Sequence, residues 1–343
     1  MTKNEERSYL KEMALEVDGF VDGLEKAAGV KFKLPFDYKQ MCICGLGASA
    51  IAGDIVADTI LTRWNIPIRV IRSTAIPNWV NEDTLVIALS HSGNTKEALM
   101  MYDHAKAKRC RIIVMASGGE LTDRCMKDGN MLIEMPAGIQ PRSAAGYMIG
   151  YLLNIIESGG GPRVNSELKD LIPSLRTYKE SIWMHNTESR AKHIAEKLRG
   201  TVPVIYASSP LSACAVRFRQ QINENAKMIA FNGMITELEH SDIAGWSSAQ
   251  TMCKPVLVYE EGASDTVIGT VNRMANILRS YGSEPEIIMI SGKTALERSL
   301  RAVMLGDYVS LFLASMNRVD PMDVSSIKSF KHLLSTLLEQ KGL

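Results

Sequence analysis

Three hydroxyl side chains crowd one short turn, Ser90-His91-Ser92-Gly93-Asn94-Thr95. It lies between an apolar run, Thr84-Leu85-Val86-Ile87-Ala88-Leu89, and the helix-favouring Lys96-Glu97-Ala98-Leu99-Met100. The apolar run predicts a buried strand, so the turn falls where a strand hands over to a helix N-terminus. A helix end of that kind carries partial positive charge and unpaired N–H donors. Glycine lets the backbone approach closely, and hydroxyls add donors without adding charge. Together these residue types favour the binding of a phosphate group. A simple helix cap uses one hydroxyl, and this turn has three.

A second glycine-bearing turn, Gly45-Leu46-Gly47-Ala48-Ser49-Ala50, follows the apolar run Met41-Cys42-Ile43-Cys44. It fits the loose Gly-x-Gly-x-x-Ala form of a dinucleotide fingerprint, in which an acid at the end of the next strand holds the ribose. Here Ile71-Arg72-Ser73-Thr74 stands in that place. Three readings remain: an NADP-type site, a purely structural tight turn, or a phosphate loop acting with residues 90–95. The last accounts for more, because in an open parallel sheet both turns lie at the carboxyl ends of their strands and face one crevice.

Such turns need a sheet to position them. Apolar runs at 41–44, 68–71, 85–89, 111–115 and 131–134 alternate with helical segments, a pattern that predicts a parallel sheet covered on both faces. The pattern then begins again. A long helical stretch at 146–156 and a polar connector precede a strand at 202–206, which opens into Ala207-Ser208-Ser209-Pro210. Strands at 255–259 and 286–290 follow, with helices at 265–281 and 295–316. The expected organisation is an N-terminal helical segment (1–35), a first α/β domain bearing the phosphate turns (36–158) and a helical connector (159–195). A second α/β domain (196–316) and a C-terminal helix (317–343) complete it.

A chain of 343 residues has room for two such domains, and 39 Lys plus Arg against 38 Asp plus Glu give a formal net charge of +1. With no global field pointing to nucleic acid or an anionic membrane, the expected partners are small molecules and other copies of the chain. The charged start, Met1-Thr2-Lys3-Asn4-Glu5-Glu6-Arg7, and the reading that no later stretch is apolar long enough to cross a bilayer lead to an expectation of a cytoplasmic protein. The six cysteines fall mostly in apolar segments and are expected to be reduced and buried. His91, His104, His185, His193 and His332 show no ligand spacing, so neither a metal nor a cofactor is expected.

Gly45-Leu46-Gly47-Ala48-Ser49, Ser90-His91-Ser92-Gly93-Asn94-Thr95 and Gln140-Pro141-Arg142-Ser143-Ala144 resemble the signature turns of the sugar isomerase (SIS) fold. Further on, Asn223-Glu224-Asn225-Ala226-Lys227 and Glu239-His240-Ser241-Asp242-Ile243-Ala244-Gly245-Trp246 are similar to the bifunctional phosphoglucose/phosphomannose isomerase family, known from archaea and some bacteria. So is the closing Asp320-Pro321, Val324, Ile327, Phe330-Lys331. The motifs keep the family's order from about residue 41 to 331. Two places depart from it. The family's first turn usually reads Gly-Gly-Ser-Gly where Ala48-Ser49-Ala50 stands here, and a tyrosine often precedes the second serine where this chain has His91.

The resemblance implies two SIS-type α/β domains, each a parallel sheet with helices on both faces, plus N- and C-terminal helices. It also implies an aldose–ketose isomerase that interconverts glucose 6-phosphate, and mannose 6-phosphate besides, with fructose 6-phosphate. Ser49, Ser90, Ser92 and Thr95, with the Ala48 backbone, would hold the 6-phosphate. Moving a proton between neighbouring carbons through an enediolate calls for a carboxylate base. Glu224, a lone acid between amides at the end of a helix-like run, is the candidate. Arg142 would set a permanent positive charge beside the enediolate. His240 suits ring opening. In the family this histidine comes from the neighbouring subunit, so a homodimer would complete the site. Lys331 would assist ring opening, with Lys328, three residues earlier, as the alternative match. Two rivals stand beside this reading. A non-catalytic sugar-phosphate-binding SIS protein would need neither Glu224 nor His240. The isomerase half of an amidotransferase making an amino-sugar phosphate is disfavoured, because Met1 is followed by Thr2 and not by a cysteine nucleophile.

Overall fold

The computed structural model describes residues 19–34, 37–183, 189–248, 252–327 and 329–330. Strands β1 (Gln40–Cys44), β2 (Ile68–Ile71), β3 (Thr84–Leu89), β4 (Arg111–Ala116) and β5 (Met131–Glu134) form a parallel sheet in the order 2-1-3-4-5. A second parallel sheet joins β6 (Val202–Ala207), β7 (Phe231–Met234), β8 (Cys253–Glu260) and β9 (Glu286–Ile290) in the order 7-6-8-9. The helices of the first half are α1 (19–29), α2 (Ala48–Ile60), α3 (Lys96–Ala107), α4 (Gly119–Asp128) and α5 (Ala145–Ser158). Between the sheets in sequence run α6 (Val164–Trp183) and α7 (Arg190–Leu198). The second half has α8 (Ser212–Ala226), the short α9 (Ile235–Glu237) and α10 (Ile243–Trp246), α11 (Asp265–Ser280) and α12 (Ala295–Asn317).

Successive side chains of a strand point to opposite faces, and that alternation sorts the chain into layers. Met41, Ile43, Leu85, Ile87 and Leu89 of the first sheet, and Ile205, Val256, Ile288 and Ile290 of the second, face one shared inner core. Cys42, Cys44, Val86 and Ala88 face an outer layer with Leu99 and Tyr102 of α3 and Leu121 of α4. On the far side, Tyr206 and Leu257 face an outer layer built from α11 and the 235–246 segment. Helices α2, α5, α8 and α12 fill the inner layer and join the two sheets. The parallel α/β architecture expected from the strand–helix alternation is therefore present.

Several local expectations change. β7, whose Phe231-Asn232-Gly233-Met234 has little strand character, lies outside the expected strands; its main-chain pairing to β6 at the sheet edge makes it a strand. The stretch around His240, for which the sequence pattern gave no element, is helical, with a π turn at Leu238–Asp242 between α9 and α10. Within the connector, which was expected to be helical, lies the 20-residue α6, whose Leu168, Leu171, Ile172 and Leu175 are buried. Among the described residues one helix, α12, is long and apolar enough to cross a membrane, contrary to the sequence reading. Since 89% of its apolar window is buried within the protein, core packing accounts for that composition. All six cysteines are free; Cys42, Cys44, Cys125 and Cys214 are buried, while Cys110 and Cys253 are partly so.

At the start of α12, Thr294 accepts from the Glu297 N–H at 3.1 Å. The Glu297 carboxylate in turn accepts from Lys293 N–H at 2.7 Å, Ser174 Oγ at 2.9 Å and Arg301 Nη2 at 2.6 Å. Burial alone would raise the Glu297 pKa. The bonds from Lys293 and Ser174 and the Arg301 charge outweigh it, so the carboxyl ionises below its ordinary 4.5. A depressed folded-state pKa adds stability above the unfolded pKa that is lost as pH falls through the folded value. Glu297→Gln should therefore lower the melting temperature at pH 7 by roughly 4 °C. In calorimetry that gap from wild type should shrink as pH drops below about 4.5.

Candidate active site

Strands β1 and β3 are neighbours, with Cys44 opposite Ala88, yet α2 turns into the inner layer and α3 into the outer one. The strand order thus reverses between them, which opens a crevice at their carboxyl ends. Both predicted phosphate turns border it. Their glycines are spatial requirements: a Cβ on Gly45 would come 2.8 Å from the Leu89 carbonyl oxygen. One on Gly93, at φ +67°, would meet the Gly118 oxygen at 1.8 Å. Ser90 Oγ donates to Thr95 Oγ1 at 3.0 Å, and Ser92 Oγ accepts from Asn94 N–H at 3.3 Å. Ser49 and Ser90 are buried, and Ser92 is exposed.

No side chain caps α2 or α3, because Gly47 has none to offer and the Thr95 hydroxyl serves Ser90. Helices α7, α11 and α12, away from this crevice, are capped by Ser189, Ser264 and Thr294. At the start of α2 the Ser49 and Ala50 N–H groups donate to the Leu46 carbonyl, at 3.1 and 3.5 Å, so an anion would meet that helix end through the Ala48 N–H and the nearby hydroxyls. A second reversal lies between β6 and β8, but its chemistry differs. There the Ala213 N–H at the start of α8 is taken by Asp58 Oδ2 at 2.9 Å, and β8 ends at Glu260 and Glu261. The occupied donor makes the second crevice less open to an anion than the first, while Arg298 pairs with Glu260 there.

The same Asp58 contact explains how the other half of the chain reaches the phosphate turns. Asp58 lies near the far end of α2, so α8 starts there and runs back about 16 Å over the eleven residues from Ala213 to Glu224. It ends beside Arg142, in the loop that leaves the carboxyl end of β5 on the same edge as the phosphate turns. Arg142 Nη1 lies 3.3 Å from Glu224 Oε2, and Arg142 Nη2 donates to the Pro321 carbonyl at 2.6 Å. Glu224 is therefore a paired acid, not the unpaired one expected, and its side chain is 33% exposed while that of Arg142 is 8% exposed. Beside it, Lys227 Nζ donates to the Glu224 and Asp323 carbonyls, each at 2.5 Å. Burial and the Arg142 charge lower the Lys227 pKa. His91 is buried and donates from Nε2 to the Pro136 carbonyl at 3.1 Å, which ties the phosphate turn to the loop carrying Arg142. Burial lowers its pKa against that bond.

His240 is elsewhere within the chain. Its side chain is 74% exposed, 4.0 Å from Glu239, on a π turn packed over the outer face of the second sheet. Glu224 belongs to a helix on the inner face, so the sheet separates the two. Lys331 and Lys328 lie outside the described residues. Arg72, which a 2′-phosphate would need, is paired with Asp54, an acid that opposes an NADP site. Among the described residues, no three His, Cys, Asp or Glu side chains come together as metal ligands.

Residues 187–334 match the model of the bacterial phospho-glucose isomerase C-terminal SIS domain. The bifunctional phosphoglucose/phosphomannose isomerase of Aquifex aeolicus is 32% identical over 329 residues, which is 95% of this chain and 99% of that protein. This chain belongs to that family. The family's protein from Caldicellulosiruptor bescii is also 32% identical, across 88% of this chain and 91% of its own. Among solved structures, a hypothetical protein of Thermus thermophilus shares the fold, with a TM-score of 0.75 at 13% identity over 98% of this chain and 95% of that one.

The sequence reading missed a buried group behind Arg142. Arg217 and Asp307, facing each other from α8 and α12 at 2.7 Å, border a cavity of about 20 Å³ together with Arg142, Gln221 and Asn225. Burial raises the Asp307 pKa against the pull of Arg217. A signal was available for Asp307, an acid among Val303, Met304 and Leu311 on its helix, while Arg217 shares its face with Gln221 and Glu224. The phosphate seat is testable by itself. Ser90→Ala combined with Thr95→Val should abolish most of the melting-temperature rise that inorganic phosphate gives the wild-type protein, as read by a thermal-shift titration.

Proposed function

We propose that this chain interconverts glucose 6-phosphate and mannose 6-phosphate with fructose 6-phosphate. The observation that carries the reading is the meeting of Glu224 and Arg142, 3.3 Å apart, on the edge that bears the hydroxyl turns. The membership of this family supports it. The 6-phosphate lies on the Ser49, Ser90, Ser92 and Thr95 hydroxyls and the Ala48 N–H. The sugar extends from there toward Glu224. With the ring open, the Glu224 carboxylate takes the proton from C2 of the aldose and returns it at C1. The Arg142 guanidinium balances the charge that develops on the enediolate oxygens. The enediol has lost the stereochemistry at C2. Rotation about C2–C3 presents its other face to the same base, so glucose 6-phosphate and mannose 6-phosphate share one intermediate.

Ring opening needs a proton at the ring oxygen and removal of one from the anomeric hydroxyl. We assign the first to His240 of the partner subunit, with Lys331 assisting. The sheet that separates His240 from Glu224 within a chain supports a homodimer whose site spans both copies, as do the exposed Ile229, Phe231 and Met234 on and beside the edge strand β7. The chemistry is written with acids and bases of the chain alone, and a chelator should leave turnover unchanged.

Glu224→Gln should lower kcat by about 10²–10⁴-fold with KM little changed, and should stop solvent-deuterium incorporation at C2 in heavy water. Undiminished exchange would return the reading to a different base or to a sugar-phosphate-binding protein. Mixing inactive Glu224→Gln and His240→Gln proteins under conditions of subunit exchange should restore roughly a quarter of wild-type activity, because half the sites of each mixed dimer are intact. No recovery would mean that both residues act within one chain.

A further inference from the structure

We infer that Arg217 and Asp307 are positioning residues that clamp Arg142 against Glu224. The inference rests on the catalytic reading of Glu224 and Arg142 above, and nothing in the family resemblance assigns these two residues a role. Arg217 Nη2 donates both to Asp307 Oδ2, at 2.7 Å, and to the Arg142 main-chain carbonyl, at 3.2 Å. Arg217 and Glu224 lie seven residues apart on α8, on one face and about 10 Å apart along the axis. One helix therefore holds the arginine loop at two points, its carbonyl at Arg217 and its guanidinium at Glu224. Asp307 closes the circuit. It lies on α12, the helix that leads to Pro321, whose carbonyl takes the remaining arm of the Arg142 guanidinium.

As a fold anchor the pair is a poor choice. Both residues are 2% exposed, and Arg217 Nε and Asp307 Oδ1 have no hydrogen-bond partner. Taking two charges out of water with bonds unmade costs more than an apolar pair of the same size. What the pair supplies is direction: Asp307 fixes the fork of Arg217, which then aims a donor at the carbonyl of the loop from the first sheet. A shift of about 1 Å in a charged group facing an enediolate is enough to cost on the order of 10²-fold in rate. Substrate binding through the phosphate turns does not pass through this contact.

The experiment measures kcat, KM and melting temperature for Asp307→Asn, Arg217→Lys and the apolar double variant Arg217→Met with Asp307→Leu, alongside Glu224→Gln. The double variant should melt no lower than wild type, with KM within about threefold and kcat reduced about tenfold or more. Asp307→Asn, which preserves shape if the double variant fails to fold, should show the same split between kcat and KM. Arg217→Lys keeps a donor within reach of the carbonyl and should recover kcat to within about threefold of wild type. A folded Asp307→Asn or double variant with wild-type kcat overturns the clamp, as does a fall in kcat that only follows the folded fraction. If Glu224→Gln itself retains full turnover, the catalytic reading fails and the clamp with it. If Glu224→Gln is inactive while Asp307→Asn and the double variant keep wild-type kcat, the clamp alone fails.

Discussion

The Asp58 carboxylate bonded to the Ala213 N–H determines how the two halves of the chain can cooperate. It joins the far end of α2 to the near end of α8 inside the layer that both sheets share. Helix α8 is then sent back toward the edge where α2 began. The hydroxyl turns and the acid come from strands and helices more than a hundred residues apart, and this packing direction brings Glu224 to Arg142, whose loop leaves the same carboxyl edge of the first sheet as the turns. The bond also occupies a first-turn donor of α8 at the second sheet's reversal point, where Glu260 is paired with Arg298.

Polar groups in the inner layer follow from the same arrangement. Helix α12 is apolar on nearly every face because protein surrounds it, and three of its polar side chains bond across the layer. Ser299 bonds to Thr59 at 3.1 Å, Ser310 to Asn225 at 2.8 Å and Asp307 to Arg217 at 2.7 Å. Reading up α12, these contacts run from the end of α2 to the end of α8. They fix the sliding register of the helices in a layer where apolar contacts alone are non-directional.

Much of the candidate site was legible from residue types. The clustering of Ser90, Ser92 and Thr95 after an apolar run, and the Gly45 turn after another, pointed to two turns at strand ends, and both lie at the carboxyl edge of the first sheet, beside the β1–β3 reversal. The central strands β1, β3 and β4 of the first sheet were legible because they are buried on both faces and so read as continuous apolar runs. β7 was not, since Asn232 and Gly233 carry no strand signal and the conformation comes from bonds to β6. The π turn under His240 was likewise hidden. Its shape depends on Leu238 and Trp246 reaching the outer core, and on Asp242 meeting the Tyr206 hydroxyl at 3.1 Å.

The amino-acid sequence by itself determined the parallel α/β class, the two hydroxyl-bearing turns and the motif order that marks the family. All of these are local patterns of residue type along the chain. Tertiary structure alone decided that Glu224 is paired with Arg142, that His240 lies across a sheet from it, and that Arg217 and Asp307 stand behind both. Those are distances between elements far apart in sequence. They are set by which helix faces share the inner layer and in which direction each helix runs, and no local pattern encodes them.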